Sequence, residues 1–137
     1  IESGKIEVLE IYNIHDSGKI MNYKLAEGQV QGGVSMGLGY ALSEQMLFDK
    51  KTGKPLNNNL LDYKIQTILD TPKIGVDFVE EADPAGSFGQ KSLGENPTIS
   101  PAPAIRNAVL DATGVALNKL PMNPQSVFEK FREVGLV

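Results

Sequence analysis

The longest regular pattern of the sequence spans residues 23–46, where apolar side chains recur at helical spacing although glycines interrupt them. The apolar positions follow an i, i+4, i+8 course through Ala26, Val30, Val34, Leu38, Ala41 and Leu42. Each interior glycine costs a helix up to about 1 kcal/mol relative to alanine, so another interaction has to offset this cost. Gly33, Gly37 and Ala41 lie four residues apart in a smooth strip. The strip predicts close approach of another backbone or of a flat ligand.

A second constraint is the run GSFGQKSLGENP at residues 86–97, whose glycines and proline suit neither a helix nor a strand interior. It predicts a shaped loop. Ser100 and Pro101 follow as the expected cap and first position of a helix, which places Glu95 near the positive end of a helix dipole. A carboxylate there can act as a general base for a group within about 3 Å. The alternative is a solvated surface glutamate.

The composition limits the classes of function. The 13 basic and 17 acidic side chains give a net charge of -4 without a basic stripe, which argues against nucleic acid as the main partner. No apolar run reaches the roughly 18 residues of a membrane span. Zero cysteines exclude thiolate zinc and iron–sulfur ligation by this chain, and one histidine is too few for a histidine-rich metal site. Any metal must therefore be held largely by something else.

The remaining patterns predict an α+β domain. Residues 6–14 are largely apolar on both parities, which indicates a central strand covered on both faces, and residues 74–79 alternate as a strand with one buried face does. Residues 101–113, followed by Gly114 as C-terminal cap, and a segment starting at Asn123 predict two helices. We therefore expect four or five strands in a mixed sheet, one long glycine-rich helix and two shorter C-terminal helices.

Length and composition favour one domain, because 137 residues with 41% hydrophobic content suffice for a single core. Ser3 and Gly4 resemble the turn of a hairpin whose first strand is missing, so we interpret the chain as a piece of a longer polypeptide. The alternative is a trimmed free-standing domain. Gln29 and Gln31 either lie on a solvated helix face or offer an amide to a bound group. His15 is interpreted as a structural histidine rather than a ligand.

Two of these stretches resemble the molybdenum-binding subunit of the xanthine dehydrogenase, or molybdenum hydroxylase, family. Residues 28–33, continuing through residues 37–44, are similar to its cofactor-facing helix, and residues 89–97 are similar to its catalytic loop, whose Gly-Glu pair carries the active-site base. The resemblance extends over nearly the whole chain. It implies that residues 1–137 form the C-terminal part of a molybdopterin-binding domain in a larger catalytic subunit.

The resemblance implies specific roles. Glu95 would be the general base in the hydroxylation of a purine, another N-heterocycle or an aldehyde with oxygen derived from water. A molybdenum–pterin cofactor, with or without a nucleotide extension, would contact Gln29, Gly32, Gly33 and Gly94, and no residue of the chain would ligate the metal. Asn96 departs from the family pattern, in which many relatives have proline. This departure does not remove the base.

The resemblance also implies partners. They are the remainder of the molybdenum subunit, iron–sulfur clusters and FAD on other domains or subunits, and a small-molecule substrate, without nucleic acid or membrane. A cytoplasmic oxidoreductase that is inactive as an isolated fragment is the leading interpretation. The alternative is a non-catalytic cofactor-carrying or protein-interaction module with the same fold.

Overall fold

The computed structural model describes residues 3–137 and has a small sheet and three helices. In chain order the regular elements are β1 (Glu10–Asp16), α1 (Tyr23–Leu42), β2 (Lys73–Val79), α2 (Pro101–Thr113) and α3 (Pro124–Glu133). Two short 3-10 turns, Ser87–Gly89 and Asn96–Thr98, lie between β2 and α2. The predicted α+β class, the long helix and the two shorter C-terminal helices are confirmed.

The sheet pairs β1 with β2 in parallel, from Glu10 opposite Lys73 to Asp16 opposite Val79. Parallel neighbours need a long crossover, which α1 and the segment after it supply. Within residues 3–137 the sheet has two strands, so it is smaller than the mixed sheet of four or five strands that we expected. Tyr12 and Ile14 are 67% and 64% exposed, which contradicts the expectation of a strand covered on both faces. Apolar patterning reports which side chains favour burial, but it does not identify what covers them.

α1 begins and ends at defined hydrogen bonds. The Asn22 side chain accepts from the Leu25 N–H at 3.0 Å and caps the first turn. At the other end the N–H groups of Ser43 and Glu44 both donate to the Gly39 carbonyl, at 2.9 and 2.8 Å. The helix therefore ends at Leu42, four residues before the predicted end.

The core lies between α1 and the two C-terminal helices. Buried side chains of α1 pack in one cluster with those of α2, α3 and the segment between these two helices; the cluster includes Val30, Val34, Leu38, Ile105, Met122, Val127 and Phe131. Full burial of one such side chain contributes about 1.5–3 kcal/mol. The Met122 N–H also donates to the Ala41 carbonyl at 2.7 Å, which joins the end of α1 to the start of the α3 segment.

All three predicted helix ends are confirmed in position, because Ser100 and Gly114 flank α2 and Asn123 precedes α3 as their cap residues. Gly114 has φ of 71° and donates its N–H to the Leu110 carbonyl at 2.8 Å, and the Asn123 side chain accepts from the Ser126 N–H at 2.9 Å. The Ser100 side chain, in contrast, does not cap α2. Its Oγ accepts instead from the Asn13 amide of β1 at 3.2 Å, because the sheet brings that donor within reach.

Across residues 3–137, no helix combines the length and the apolar character needed to cross a lipid bilayer.

Candidate active site

The smooth strip of α1 is covered by Pro97, the last residue of the loop 86–97, and by Pro101, the first residue of α2. A Cβ built on Gly33 would lie 2.6 Å from the Pro97 Cβ, and one built on Gly37 would lie 2.6 Å from the Pro101 Cγ. Only glycine permits such an approach. The close packing predicted for the strip is therefore confirmed. At Gly33 the approaching group is Pro97, so the room expected there for a cofactor is filled by the chain itself.

Gln29 joins α1 to the loop directly before Glu95. Its Nε2 donates to the Gly94 carbonyl at 2.8 Å, across 65 positions of sequence. The predicted base and the predicted amide thus lie on the same side of the molecule. The Gln29 side chain is exposed, and within residues 3–137 its Oε1 accepts no hydrogen bond. That oxygen and the second N–H of the amide remain available to a bound group.

Glu95 presents a free carboxylate. Its backbone carbonyl accepts from the Thr98 N–H at 3.0 Å and from the Thr98 Oγ1 at 2.7 Å, which fixes the turn that follows. The side chain is exposed, and no ion pair or hydrogen bond engages it in the described part of the chain. Glu80, by comparison, accepts from the Ile20 N–H and pairs with Lys19, and both interactions lower its pKa.

Three glycines near these side chains are uncovered. Gly28, Gly32 and Gly94 are exposed, and a Cβ on any of them would meet nothing within 4 Å. Gly28 and Gly32 lie one turn apart on α1, and Gln29 of the same surface contacts Gly94. We call the surface formed by Gly28, Gln29, Gly32 and Gly94 the open glycine face.

The first half of the loop is attached to the turn after β1. The Lys19 N–H donates to the Gly89 carbonyl and the Lys91 N–H donates to the Ser17 carbonyl, each at 2.9 Å. The Lys91 ammonium pairs with the Asp16 carboxylate. This pairing, with a further hydrogen bond from the Gly18 N–H, holds the pKa of Asp16 below its ordinary value, and the carboxylate raises the pKa of Lys91.

The second half of the loop is held by a residue that sequence reasoning missed. Asn13 of β1 is only 6% exposed, and its Nδ2 donates to the Ser100 Oγ at 3.2 Å and to the Pro97 carbonyl at 3.5 Å. The available signal was a lone amide among Ile11, Tyr12 and Ile14 of the strand, because a buried amide requires partners. His15, two residues further, is half-buried, and burial lowers its pKa.

The open glycine face fits a planar heterocycle such as the pterin that the resemblance implies. Exposed glycines provide a surface without side chains, and the Gln29 amide offers one donor and one acceptor to ring nitrogens and oxygens. A cavity of about 680 Å³ lies elsewhere, between the segment 4–12 and the two C-terminal helices, and its lining is mainly apolar. Cavity size alone would therefore point away from Glu95.

Comparison with known proteins identifies relatives along almost the whole chain. The putative xanthine dehydrogenase molybdenum-binding subunit of Escherichia coli (strain K12) is 52% identical over 133 residues, which cover 97% of this chain and 18% of the relative. The aldehyde oxidoreductase molybdenum-binding subunit PaoC of the same organism is 32% identical over 96% of this chain and 18% of its own length. The chain thus spans about a fifth of the length of these curated relatives.

Solved structures share the fold. The aldehyde oxidoreductase of Desulfovibrio gigas superimposes with a TM-score of 0.84 at 34% identity, over 95% of this chain and 14% of that one. A Cu,Mo-CO dehydrogenase superimposes with a TM-score of 0.89 at 27% identity, over 98% of this chain and 17% of that one. These relatives are molybdenum oxidoreductases. The sequence pattern of the molybdopterin cofactor-binding domain matches residues 1–72, which include Gln29 and Gly32. The chain therefore belongs to the molybdopterin cofactor-binding domain family of the molybdenum hydroxylases.

Proposed function

We propose that residues 1–137 form the C-terminal part of the cofactor-binding domain of a molybdenum hydroxylase subunit and supply its general base, Glu95. The observation that carries this proposal is the hydrogen bond from Gln29 to the Gly94 carbonyl. This bond joins Gln29 of the open glycine face to Gly94, the residue directly before Glu95, and so supports a base next to that face. A base and a ligand surface that adjoin each other are what proton transfer to or from a bound reactant requires.

The open glycine face is the part of the chain that would hold the cofactor. Gln29 contributes its free Oε1 and one N–H, and Gly32 and Gly94 allow close approach because no side chain intervenes. Gly33, next to Gly32 in sequence, instead leaves room for the Pro97 ring. The molybdenum–pterin group, when bound, supplies the redox chemistry of a hydroxylation that uses oxygen from water.

Glu95 would take a proton from the water-derived nucleophile through one of its carboxylate oxygens. No cation or hydrogen-bond donor of residues 3–137 occupies that carboxylate, so both of its oxygens are free to accept. The backbone on either side is fixed, by Gln29 before the base and by Thr98 after it. General-base catalysis by a positioned group contributes roughly 10²–10⁴ to a rate.

A purine or a related N-heterocycle is the proposed substrate, with an aldehyde as the alternative class. The 52% identity to a xanthine dehydrogenase subunit supports the first, and the 32% identity to an aldehyde oxidoreductase subunit keeps the second open. We further propose that the remainder of the molybdenum subunit completes the cleft. Iron–sulfur and flavin groups on other domains or subunits would carry the electrons away, because a chain without cysteine ligates no cluster through thiolates.

The test is Glu95→Gln in the complete, assembled enzyme. Glutamine keeps the shape of the side chain but accepts no proton at neutral pH, so turnover of xanthine or an aldehyde should fall by about 10² or more while molybdenum and pterin contents stay unchanged. Glu133→Gln, at an exposed glutamate that ends α3, is the matched control and should leave turnover intact.

Two results would contradict the assignment. Unchanged turnover in Glu95→Gln with full metal content would support the non-catalytic cofactor-carrying module instead. Loss of molybdenum and pterin in that variant would show that Glu95 serves binding or folding rather than proton transfer.

A further inference from the structure

We propose that Lys91 is a positioning residue for Glu95, which it serves through its ion pair with Asp16. The inference rests on the proposed function, because it concerns the placement of the base. Lys91 lies four positions before Glu95 in the same loop, and Asp16 is the last residue of β1. The pair therefore connects the loop to the sheet.

The Asp16 carboxylate makes two contacts with different partners. Its Oδ1 accepts from the Gly18 N–H at 3.0 Å, which closes the turn after β1, and its Oδ2 pairs with the Lys91 Nζ. The side chains of the pair are 34% and 31% exposed, so both are partly shielded from solvent. A pair this close to the surface contributes little stability by itself, so it holds the loop jointly with the main-chain hydrogen bonds around it.

Main-chain hydrogen bonds add to this attachment and hold the segment 91–94 at both of its ends. Lys91 donates its N–H to the Ser17 carbonyl at 2.9 Å, so both the backbone and the side chain of Lys91 are held by the end of β1. Three residues later the Gly94 carbonyl is held by Gln29 of α1 at 2.8 Å. The segment that leads into Glu95 is thus fixed at one end to the sheet and at the other to the long helix.

The same pair also engages the one cation of the loop. Lys91 and Glu95 are the only charged residues of the run 86–97. Because Asp16 holds the Lys91 ammonium, the one cation of this run is not available to pair with Glu95. The ion pair therefore keeps the base both in position and free.

Catalytic geometry is sensitive to such attachments, since a misplacement of about 1 Å can cost 10²-fold in rate. The Asp16–Lys91 pair lies outside the buried cluster formed by α1, α2 and α3, so its loss should alter the loop while the core stays intact. This separation makes the proposal testable in the loaded enzyme.

The experiment uses the complete, metal-loaded enzyme with Lys91→Met, Lys91→Arg and Asp16→Asn. Lys91→Met should lower kcat by roughly 10- to 100-fold with KM and metal content unchanged, because binding persists while the base is misplaced. Lys91→Arg retains the pair and should recover most of the rate. Asp16→Asn keeps an oxygen for the Gly18 N–H and removes only the carboxylate charge, so it provides a second test if Lys91→Met fails to fold. The control is Lys19→Met, which breaks the neighbouring pair with Glu80 and should leave kcat intact.

Two further measurements separate positioning from general damage. Lys91→Met combined with Glu95→Gln should be no slower than Glu95→Gln alone, because a residue that acts through the base has no effect once the base is removed. Amide hydrogen exchange across residues 92–96 should accelerate about tenfold in Lys91→Met, whether or not the enzyme turns over.

The inference is overturned if Lys91→Met retains full kcat, or if it slows the Glu95→Gln enzyme as much as the parent. Those outcomes differ from failure of the proposed function, in which Glu95→Gln itself retains full turnover.

Discussion

The two glycine surfaces of α1 have opposite surroundings. On one, Gly33 and Gly37 are buried beneath Pro97 and Pro101, with built Cβ positions 2.6 Å from the proline rings. On the other, Gly28 and Gly32 are exposed, and nothing lies within 4 Å of a built Cβ. The same residue type in one helix therefore has two different structural settings.

The difference shows which glycines the described chain explains. Each costs the helix up to about 1 kcal/mol relative to alanine. Close packing of the loop and α2 offsets that cost at the covered pair, while no contact within residues 3–137 offsets it at the open pair. Glycines that weaken a helix without allowing a packing contact are expected mainly at functional sites. The open pair is accordingly the better candidate for cofactor contact.

The largest expected effect comes from a substitution in the α1 surface that Pro97 and Pro101 cover. Gly37→Val should destabilise α1 by about 3 kcal/mol, because its Cβ would clash with the Pro101 ring and with the Thr98 carbonyl at 3.0 Å. Native-state hydrogen exchange of the α1 amides in the complete subunit measures the change. Gly28→Val is the matched control and should cost nothing, since valine has the better helix propensity and the site is open. Equal protection of the α1 amides from hydrogen exchange in both variants would contradict the difference between the covered and the open glycines.

A second, smaller effect concerns the hydrogen bonds by which Asn13 holds the segment 97–100 against β1. Asn13→Ala should destabilise the region by about 2 kcal/mol, because it leaves the Pro97 carbonyl and the Ser100 Oγ without their buried donor. Ser100→Ala should cost about 1 kcal/mol, since it removes one hydrogen bond and no helix cap. Hydrogen exchange of the first turn of α2 separates the two. A larger loss at Ser100 than at Asn13 would show that the serine does cap the helix.

The smallest effect compares adjacent residues. Gly32→Ala should stabilise α1 by up to about 1 kcal/mol, whereas Gly33→Ala should destabilise it by about 1 kcal/mol because the new methyl meets Pro97. Molybdenum and pterin contents provide the functional half of this comparison. A bulky replacement, Gly32→Leu, should lower both contents without unfolding the helix, if the open glycine face holds the cofactor. Full cofactor content in that variant would contradict the assignment of Gly32.

Local signals predicted much of the fold. Gly114 and Asn123 sit at helix ends where backbone chemistry restricts the choice of residue, and both act as predicted. Ser100 also occupies its predicted N-cap position, but its side chain makes no capping hydrogen bond and instead accepts from the Asn13 amide, 87 positions away. The predicted burial of Tyr12 and Ile14 is wrong for a related reason, since their exposure depends on which segments lie against β1.

The candidate site was identified by residue identity and completed by long-range contacts. The glycine pattern of α1 and the Gly-Glu pair of the loop left Gln29 and Glu95 as candidates, and the family resemblance of those two stretches implies their roles. Neither the bond from Gln29 to Gly94 nor the pair between Asp16 and Lys91 has a local signature, because each joins residues at least 65 positions apart.

The sequence by itself determined the helices, the loop and the chemical groups available, because caps, glycines and apolar periodicity act over a few neighbouring residues. The tertiary structure alone decided which glycines are covered, that the Ser100 side chain accepts from Asn13, and that the Glu95 carboxylate stays unpaired within residues 3–137. Those outcomes depend on contacts between distant segments, and the free energy of such contacts is set by distance and burial in the folded chain.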